Sequence, residues 1–233
     1  MVNGPGELMT RRALIGGMAG VASIAVGRCD VFQRDGAYRF RSTVEVATTD
    51  GVRRGSSAYR VVAHKGLFRL GDVSGNSSAI SDGESAVIDL PSGPIVVLLT
   101  LQKAGGRLDG GATIALAPDA ARNASNYVTA VRRLAKPSAH TSAELSRRKW
   151  TMIVRFRDPM DPRTVEMVDP AFFGVQRMTV ETTTDPVSNT IRSRLPWLTD
   201  RGKRRALDGK AFATTESPLY VKLGQGMFKA GRW

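Results

Sequence analysis

The chain has 233 residues, of which 42% are hydrophobic, 24% charged and 6% aromatic. This is enough apolar material for one moderate domain or two small ones, which excludes wholesale disorder, and the scarcity of aromatics leaves the core to Val, Ile, Leu and Ala. A formal charge of +13 suits anionic partners (lipid head groups, a cell-wall polyanion or nucleic acid), while one cysteine, Cys29, and two histidines, His64 and His140, exclude an intrachain disulfide and a Cys/His zinc site.

Near the amino end, Thr10-Arg11-Arg12-Ala13-Leu14-Ile15 opens an uncharged run, ALIGGMAGVASIAVG, that closes at Gly27. A membrane-spanning helix needs about 20 apolar residues, so this run is too short to cross a bilayer. It fits the h-region of an export signal behind a positive n-region, and the arginine pair resembles a twin-arginine signal. A buried helix is disfavoured by its glycines, each costing roughly 1 kcal/mol against alanine. Two endings compete. The small-x-small pattern Ala25-Val26-Gly27 predicts a soluble protein beginning at Arg28. Cys29 stands where a bacterial lipoprotein carries its acylated cysteine, but Arg28 occupies a position that expects a small residue, which favours the soluble ending. Removing residues 1–28 takes away Arg11, Arg12, Arg28 and Glu7, which leaves +11 on the mature chain.

Beyond a linker over residues 29–37, Tyr38, Phe40, Ser42, Val44 and Val46 alternate with Arg39, Arg41, Thr43 and Glu45, a strand with one wet face. Asp50-Gly51 marks a turn and residues 57–63 read as the return strand. Residues 71–84 are polar and rich in Gly and Ser, which predicts a loop. Residues 86–90 and 95–101 are apolar. The second run, IVVLLTL, lacks alternation and predicts a strand buried on both faces. Residues 105–111 read as a flexible connection and 138–149 as a polar, basic loop or short helix. Pro118-Asp119 opens a helix that carries Tyr127, Val128, Val131 and Leu134 at helical spacing, stopped by Lys136-Pro137. Residues 150–156, 164–168 and 174–183 alternate as strands. Residues 187–194 suit about two helical turns, and 219–223 suit a last strand. The expectation is an α+β fold, mainly antiparallel β in a sandwich or open barrel, with two minor helices. A single domain over 38–223 precedes a tail of residues 224–233.

Catalytic patterns are thin. Ser146-Arg147-Arg148-Lys149 has Ser-x-x-Lys spacing, and Ser74-Gly75-Asn76 with Lys103-Ala104-Gly105 imitates a penicillin-binding set, but the order is wrong and Ala replaces the hydroxyl residue of the third motif. No Gly-x-Ser-x-Gly elbow or phosphate-binding loop is present, and Gly224-Gln225-Gly226 lacks the third glycine of a dinucleotide fingerprint. Asp158, Asp161 and Asp169 each sit beside a proline, which suits turns better than a cation site. No metal or cofactor is expected. The basic groups are Arg132, Arg133 and Lys136, then residues 147–149, then Arg201, Lys203, Arg204, Arg205 and Lys210. They interleave poorly with aromatics, so specific nucleic-acid binding is not expected. Lys203, Arg204 and Arg205 are the candidate contact to anionic lipid or another polyanion, against the plainer meaning of a solvated face.

Residues 38–46, Asp50-Gly51-Val52-Arg53, Gly55-Ser56-Ser57, Val168-Asp169-Pro170, Thr179-Val180-Glu181 and Arg194-Leu195-Pro196-Trp197-Leu198 together resemble a family of small exported or lipoprotein-type bacterial proteins without known activity. The resemblance covers the two ends of the domain and implies no site residues. The functional expectation is an exported, non-catalytic cell-envelope protein that binds or scaffolds. The alternative is an exported hydrolase whose site is assembled from scattered Ser, Asp and His64 or His140.

Overall fold

The computed structural model describes residues 32–66, 69–70, 73–74, 77–102, 106–121, 126–198, 206–207, 214 and 216–231. Val31–Trp233 gather into one compact unit. The expected export signal with Arg11 and Arg12, Cys29, and the basic cluster Lys203, Arg204 and Arg205 all lie outside the described residues.

A long antiparallel hairpin opens the fold. Strands β1 (Phe32–Thr48) and β2 (Gly51–Gly66) flank the two-residue loop Thr49-Asp50, with Thr48 opposite Gly51 and Phe32 opposite Gly66. The period-2 pattern sets its faces: Tyr38, Phe40, Val44 and Val46 are buried, while Arg39 lies exposed on the opposite side. Pairing begins at Phe32, so most of the expected linker is strand. The rungs β3 (Arg69–Leu70) and β4 (Val73–Ser74) pair with each other, and β5 (Ser77–Glu84) returns along β2. Ten of the fourteen residues expected as a polar loop over 71–84 are therefore strand. Its serines do not oppose this, because the ladder is carried by backbone groups and only Ile80 must be apolar for the core.

Ser85 alone separates β5 from β6 (Ala86–Ile88), so the chain turns a corner from one sheet into another. There β6 pairs with β7 (Ile95–Leu101). Helix α1 (Leu108–Leu116) and helix α2 (Tyr127–Leu134) follow, then β8 (Ser142–Glu144), β9 (Thr151–Phe156), β10 (Val165–Met167) and β11 (Val175–Thr182). One-turn helices α3 (Ile191–Arg194) and α4 (Leu219–Lys222) precede the closing rung β12 (Lys229–Ala230). The six-stranded sheet runs β12-β5-β2-β1-β11-β8 and the four-stranded sheet β10-β9-β7-β6, antiparallel throughout. The expected α+β, mainly antiparallel class is what the chain adopts, as two sheets and not as a closed barrel.

Two apolar clusters share the four-stranded sheet. Ile95, Val97, Leu99 and Ile153 point into a core closed by the buried face of β1 and β2 and by both helices. Val96, Leu98, Val154, Phe156 and Val165 point the other way, onto Ile191, Leu195, Leu198, Leu223 and Phe228. The unalternating IVVLLTL is thus buried on both faces, as its sequence predicts.

Several further local expectations change. The helix expected to open at Pro118-Asp119 begins at Tyr127, and residues 142–144, expected within a loop or short helix, form β8 on the edge of β11. Residues 108–116 are helical where a flexible connection was expected through residue 111. Leu108, Ala112 and Leu116 form a buried i, i+4, i+8 stripe, and the buried Gly111 lies against Leu101, where an added Cβ would stand 3.6 Å from that side chain. Packing outweighs the helix cost of Gly110 and Gly111, roughly 2 kcal/mol. Residues 219–222 are a helical turn, not a strand, because the Pro218 carbonyl accepts from Val221 and Lys222; a short apolar run has no period of its own to choose with. The helix expected over residues 187–194 is one turn, begun only at Ile191, where the Glu84 carboxylate takes the backbone N–H groups of Thr190 and Ile191. The tail also joins the domain. Phe228 is fully buried, and Lys229 and Ala230 pair with Glu84 and Gly83.

Candidate anion-binding cleft

Along the wet face of β1 the charges are matched across the sheet. Arg41 stands opposite Glu181 with their charged groups 3.8 Å apart, and Arg41 also pairs with Asp185. Glu45 stands between Arg54 on β2 and Arg177 on β11, at 2.9 Å and 3.1 Å. This double grip, Arg177 first and Arg54 second, holds the Glu45 carboxyl below its ordinary range. Arg39 breaks the pattern. Its cross-strand partner is Arg60, and like charges directly opposite one another are destabilising in a sheet. The next strand adds Asp82 opposite Arg60, at 4.0 Å, longer than a hydrogen bond. Arg39 donates through Nη1 to the carbonyls of Thr184 and Asp185, at 3.1 Å and 3.4 Å.

These two arginines line a cavity of about 630 Å³. One wall is the end of α2 and the segment after it, with Leu134, Lys136, Pro137 and His140; the other is Thr182, Thr183 and Thr184, where β11 runs out. Val128, Val131 and Leu134 face the core, which seats α2 on the sheet and carries Lys136 to the rim. Thr182 Oγ1 donates to the Ala139 carbonyl at 2.7 Å and accepts from the Thr141 N–H at 3.0 Å, tying the two walls together. Thr183 Oγ1 accepts from the Asp185 N–H. Among the described residues the lining holds Arg39, Arg60, Lys136 and His140 and no carboxylate. Part of that charge has a local use, since a cation just past a helix C-terminus complements the helix dipole. This covers Lys136 but not the opposed arginines.

A smaller cavity of about 310 Å³ shares the 134–140 segment and is lined also by Asp119, Arg133 and Ser138. A serine, a histidine and an aspartate therefore meet at one hollow, but no hydrogen bond joins the His140 ring to Ser138 or Asp119. His64 lies on β2 opposite Ser77, outside the lining of either cavity.

Buried carboxylates sit elsewhere. Asp109, in the first turn of α1, is 3% exposed; it accepts from Ser78 Oγ at 3.0 Å, and Arg107 stands 3.4 Å away. Burial raises its pKa despite Arg107 and Ser78. Close by, Thr113 donates to the Asp109 carbonyl and shares a 2.9 Å hydrogen bond with Tyr38, whose phenol is pushed up by the same burial. Glu84 is 1% exposed at the corner between the sheets. Its Oε1 accepts from Thr190 and Ile191, and Lys229 Nζ stands 3.8 Å from Oε2 while donating to Asn189. Both carboxylates hold elements together.

Asp158, Asp161 and Asp169 accept from the N–H groups of Met160, Arg163 and Ala171, two residues on, which is turn chemistry. Among the described residues no group of three His, Cys, Asp or Glu gathers as a metal site would, and no helix is long and apolar enough to cross a membrane. Ser146 lies exposed at the start of a three-residue turn with Lys149, and Lys103 is outside the described residues. Sequence reading named Lys136 and His140 but not Arg39, Arg60 or Thr184 as site residues. Their signal was the hairpin register: counting outward from Thr48 opposite Gly51 sets Arg39 opposite Arg60. No family model, curated protein or solved structure matches the chain, so the reading of this cleft rests on its own residues.

Proposed function

We propose that the chain is an exported cell-envelope protein that binds an anionic component of the envelope in the cleft between Arg39, Arg60 and the end of α2. One observation carries the reading: the only like-charge opposition among these cross-strand charge pairs faces a cavity of about 630 Å³ whose described lining has no carboxylate. An anion there relieves the repulsion that the fold otherwise bears. The export pattern around Arg11 and Arg12, the charge of +13 and the resemblance to small exported proteins support the location and the sign of the partner.

The test is retention on vesicles, with the full chain compared with its R39A/R60A variant, so that the amino-terminal segment is common to both. Anionic vesicles should hold the wild type at low salt and release it near 1 M, where the Debye length has shrunk to about 3 Å. The variant should be retained less at low salt, and neutral vesicles should show no difference between the two proteins. Equal retention of both proteins on anionic vesicles would sink the cleft. Charge reversal at Lys203, Arg204 and Arg205 measures the share of the tail cluster. For export, lysine at both Arg11 and Arg12 should strand the precursor in the cytoplasm, and mass spectrometry of the mature amino terminus separates a start at Arg28 from an acylated Cys29.

The meeting of Ser138, His140 and Asp119 supports a second reading, an exported hydrolase. A fluorophosphonate probe that labels Ser138, and fails after H140A, would establish it. Absence of labelling removes it.

A further inference from the structure

We infer that the occupant of the cleft is a phosphate ester of a polyol, an inference that rests on the anion-binding reading above. The phosphate belongs between the two guanidinium groups. Arg39 commits Nη1 to two backbone carbonyls and leaves Nε and Nη2 without a partner among the described residues, and Arg60 has only the 4.0 Å approach of Asp82. A carboxylate can also bridge two arginines, as Glu45 does, but its acceptor sites lie in one plane. A phosphate presents oxygens tetrahedrally and serves two forks that reach it from neighbouring strands. Opposed arginines with no carboxylate between them therefore favour phosphate.

The rest of the cavity selects hydroxyls over rings. At about 630 Å³ it is far larger than a phosphate, so the ester group must also be accommodated. Tyr38 is the one Phe, Tyr or Trp of the described lining; it is 4% exposed, with its hydroxyl bound to Thr113, and so offers no ring face, which leaves the small imidazole of His140 as the one ring on which a base could stack. Polar groups remain for a hydroxylated moiety. Thr184 Oγ1 has no partner among the described residues, Thr183 Oγ1 accepts one bond and keeps its proton to donate, and Lys136 is exposed beyond α2. Such a ligand has two sources with one chemistry, the glycerophosphate head group of a lipid and a free polyol phosphate.

Isothermal titration calorimetry of the full chain with glycerol 1-phosphate, inorganic phosphate and glycerol tests the class. Glycerol 1-phosphate should bind, inorganic phosphate should bind more weakly, and glycerol should not bind. R39A and R60A should each weaken glycerol 1-phosphate by about tenfold or more, as loss of a hydrogen bond from a charged group does. T184V should weaken glycerol 1-phosphate severalfold and leave inorganic phosphate unchanged. Arg39, Arg60 and Thr184 are surface residues, and circular dichroism confirms that each variant is folded. Retention on phosphatidylglycerol vesicles that depends on Arg39, Arg60 and Thr184 assigns the lipid source; binding of glycerol 1-phosphate without it assigns the free one. Equal affinity for inorganic phosphate and glycerol 1-phosphate, or no effect of T184V, overturns the polyol. Arginine-dependent vesicle retention with no binding of either soluble phosphate overturns this inference and leaves the envelope-binding reading standing. Retention indifferent to both arginines removes that reading itself.

Discussion

The central strand β7 of the four-stranded sheet is buried on both faces from Ile95 to Leu99, with charge confined to the half-exposed Arg155–Glu166 pair of β9 and β10, whereas the six-stranded sheet buries one face and turns a charged face outward. In the first, Val96 and Leu98 serve one core and Ile95, Val97 and Leu99 the other, so every residue from Ile95 to Leu99 is committed to packing. In the second, half of each long strand is free to carry chemistry, and most of it is used to pair charges across strands. Cross-strand pairing is the ground state of such a face, so a place where it fails is informative. Arg39 against Arg60 is that place. A chemical site needs a sheet with a side to spare, and the six-stranded sheet offers a whole face.

The largest expected effect lies at the corner where the chain passes from one sheet to the other. K229M takes the Lys229 cation away from the buried Glu84 and should cost about 3–5 kcal/mol in urea unfolding. Adding E84Q should recover much of that loss, because the glutamine oxygen still accepts from Thr190 and Ile191. If the single variant were as stable as the wild type, the corner would not depend on the pair.

The contrast between faces predicts unequal truncations. L98A empties a site with no exposure and should cost about 2–5 kcal/mol. T43A, on the outer face of β1, should stay within about 0.5 kcal/mol. Comparable denaturation midpoints for the two would erase the distinction between the sheets.

Asp109 sharpens the comparison on the buried side of the six-stranded sheet. Its folded pKa is raised, chiefly by burial, above an unfolded value near 3.9. Between those values the folded state binds more protons than the unfolded one, so this group favours folding at low pH and the benefit is lost as pH rises through the folded pKa. D109N carries no such titration. Its stability relative to wild type should increase with pH from about 4 upward, read from urea midpoints across the range. A constant difference would show that the carboxyl is not disfavoured in its charged form.

The smallest effect is the most diagnostic. R39T removes the opposed charge and places a β-branched residue on the strand, so it should leave stability unchanged or raise it by about 0.2–1 kcal/mol. The same variant should lose cleft-dependent retention on anionic vesicles. A gain of stability with a loss of binding marks a residue kept for its ligand; a loss of both would make Arg39 structural.

Much of this was legible in the residues themselves. Alternation from Tyr38 to Val46, the turn after Thr48 and the unbroken IVVLLTL announce a hairpin with one wet face and a strand with none, because side-chain burial follows backbone period directly. The hairpin register even encodes the opposition of Arg39 and Arg60. Tertiary structure decided what local pattern could not rank. Gly110 and Gly111 are loop residues until Leu101 gives α1 a surface to pack on, and residues 219–222 have no period until the Pro218 carbonyl starts a turn. Ser77–Glu84 becomes a strand because β2 offers it an edge. The cleft likewise exists only where the end of β11 and the segment after α2 meet beside β1, a contact between residues more than forty positions apart, such as Thr182 and Ala139. Charge and period are properties of neighbours in sequence; a concave site is made by elements whose proximity is decided by how the whole core closes.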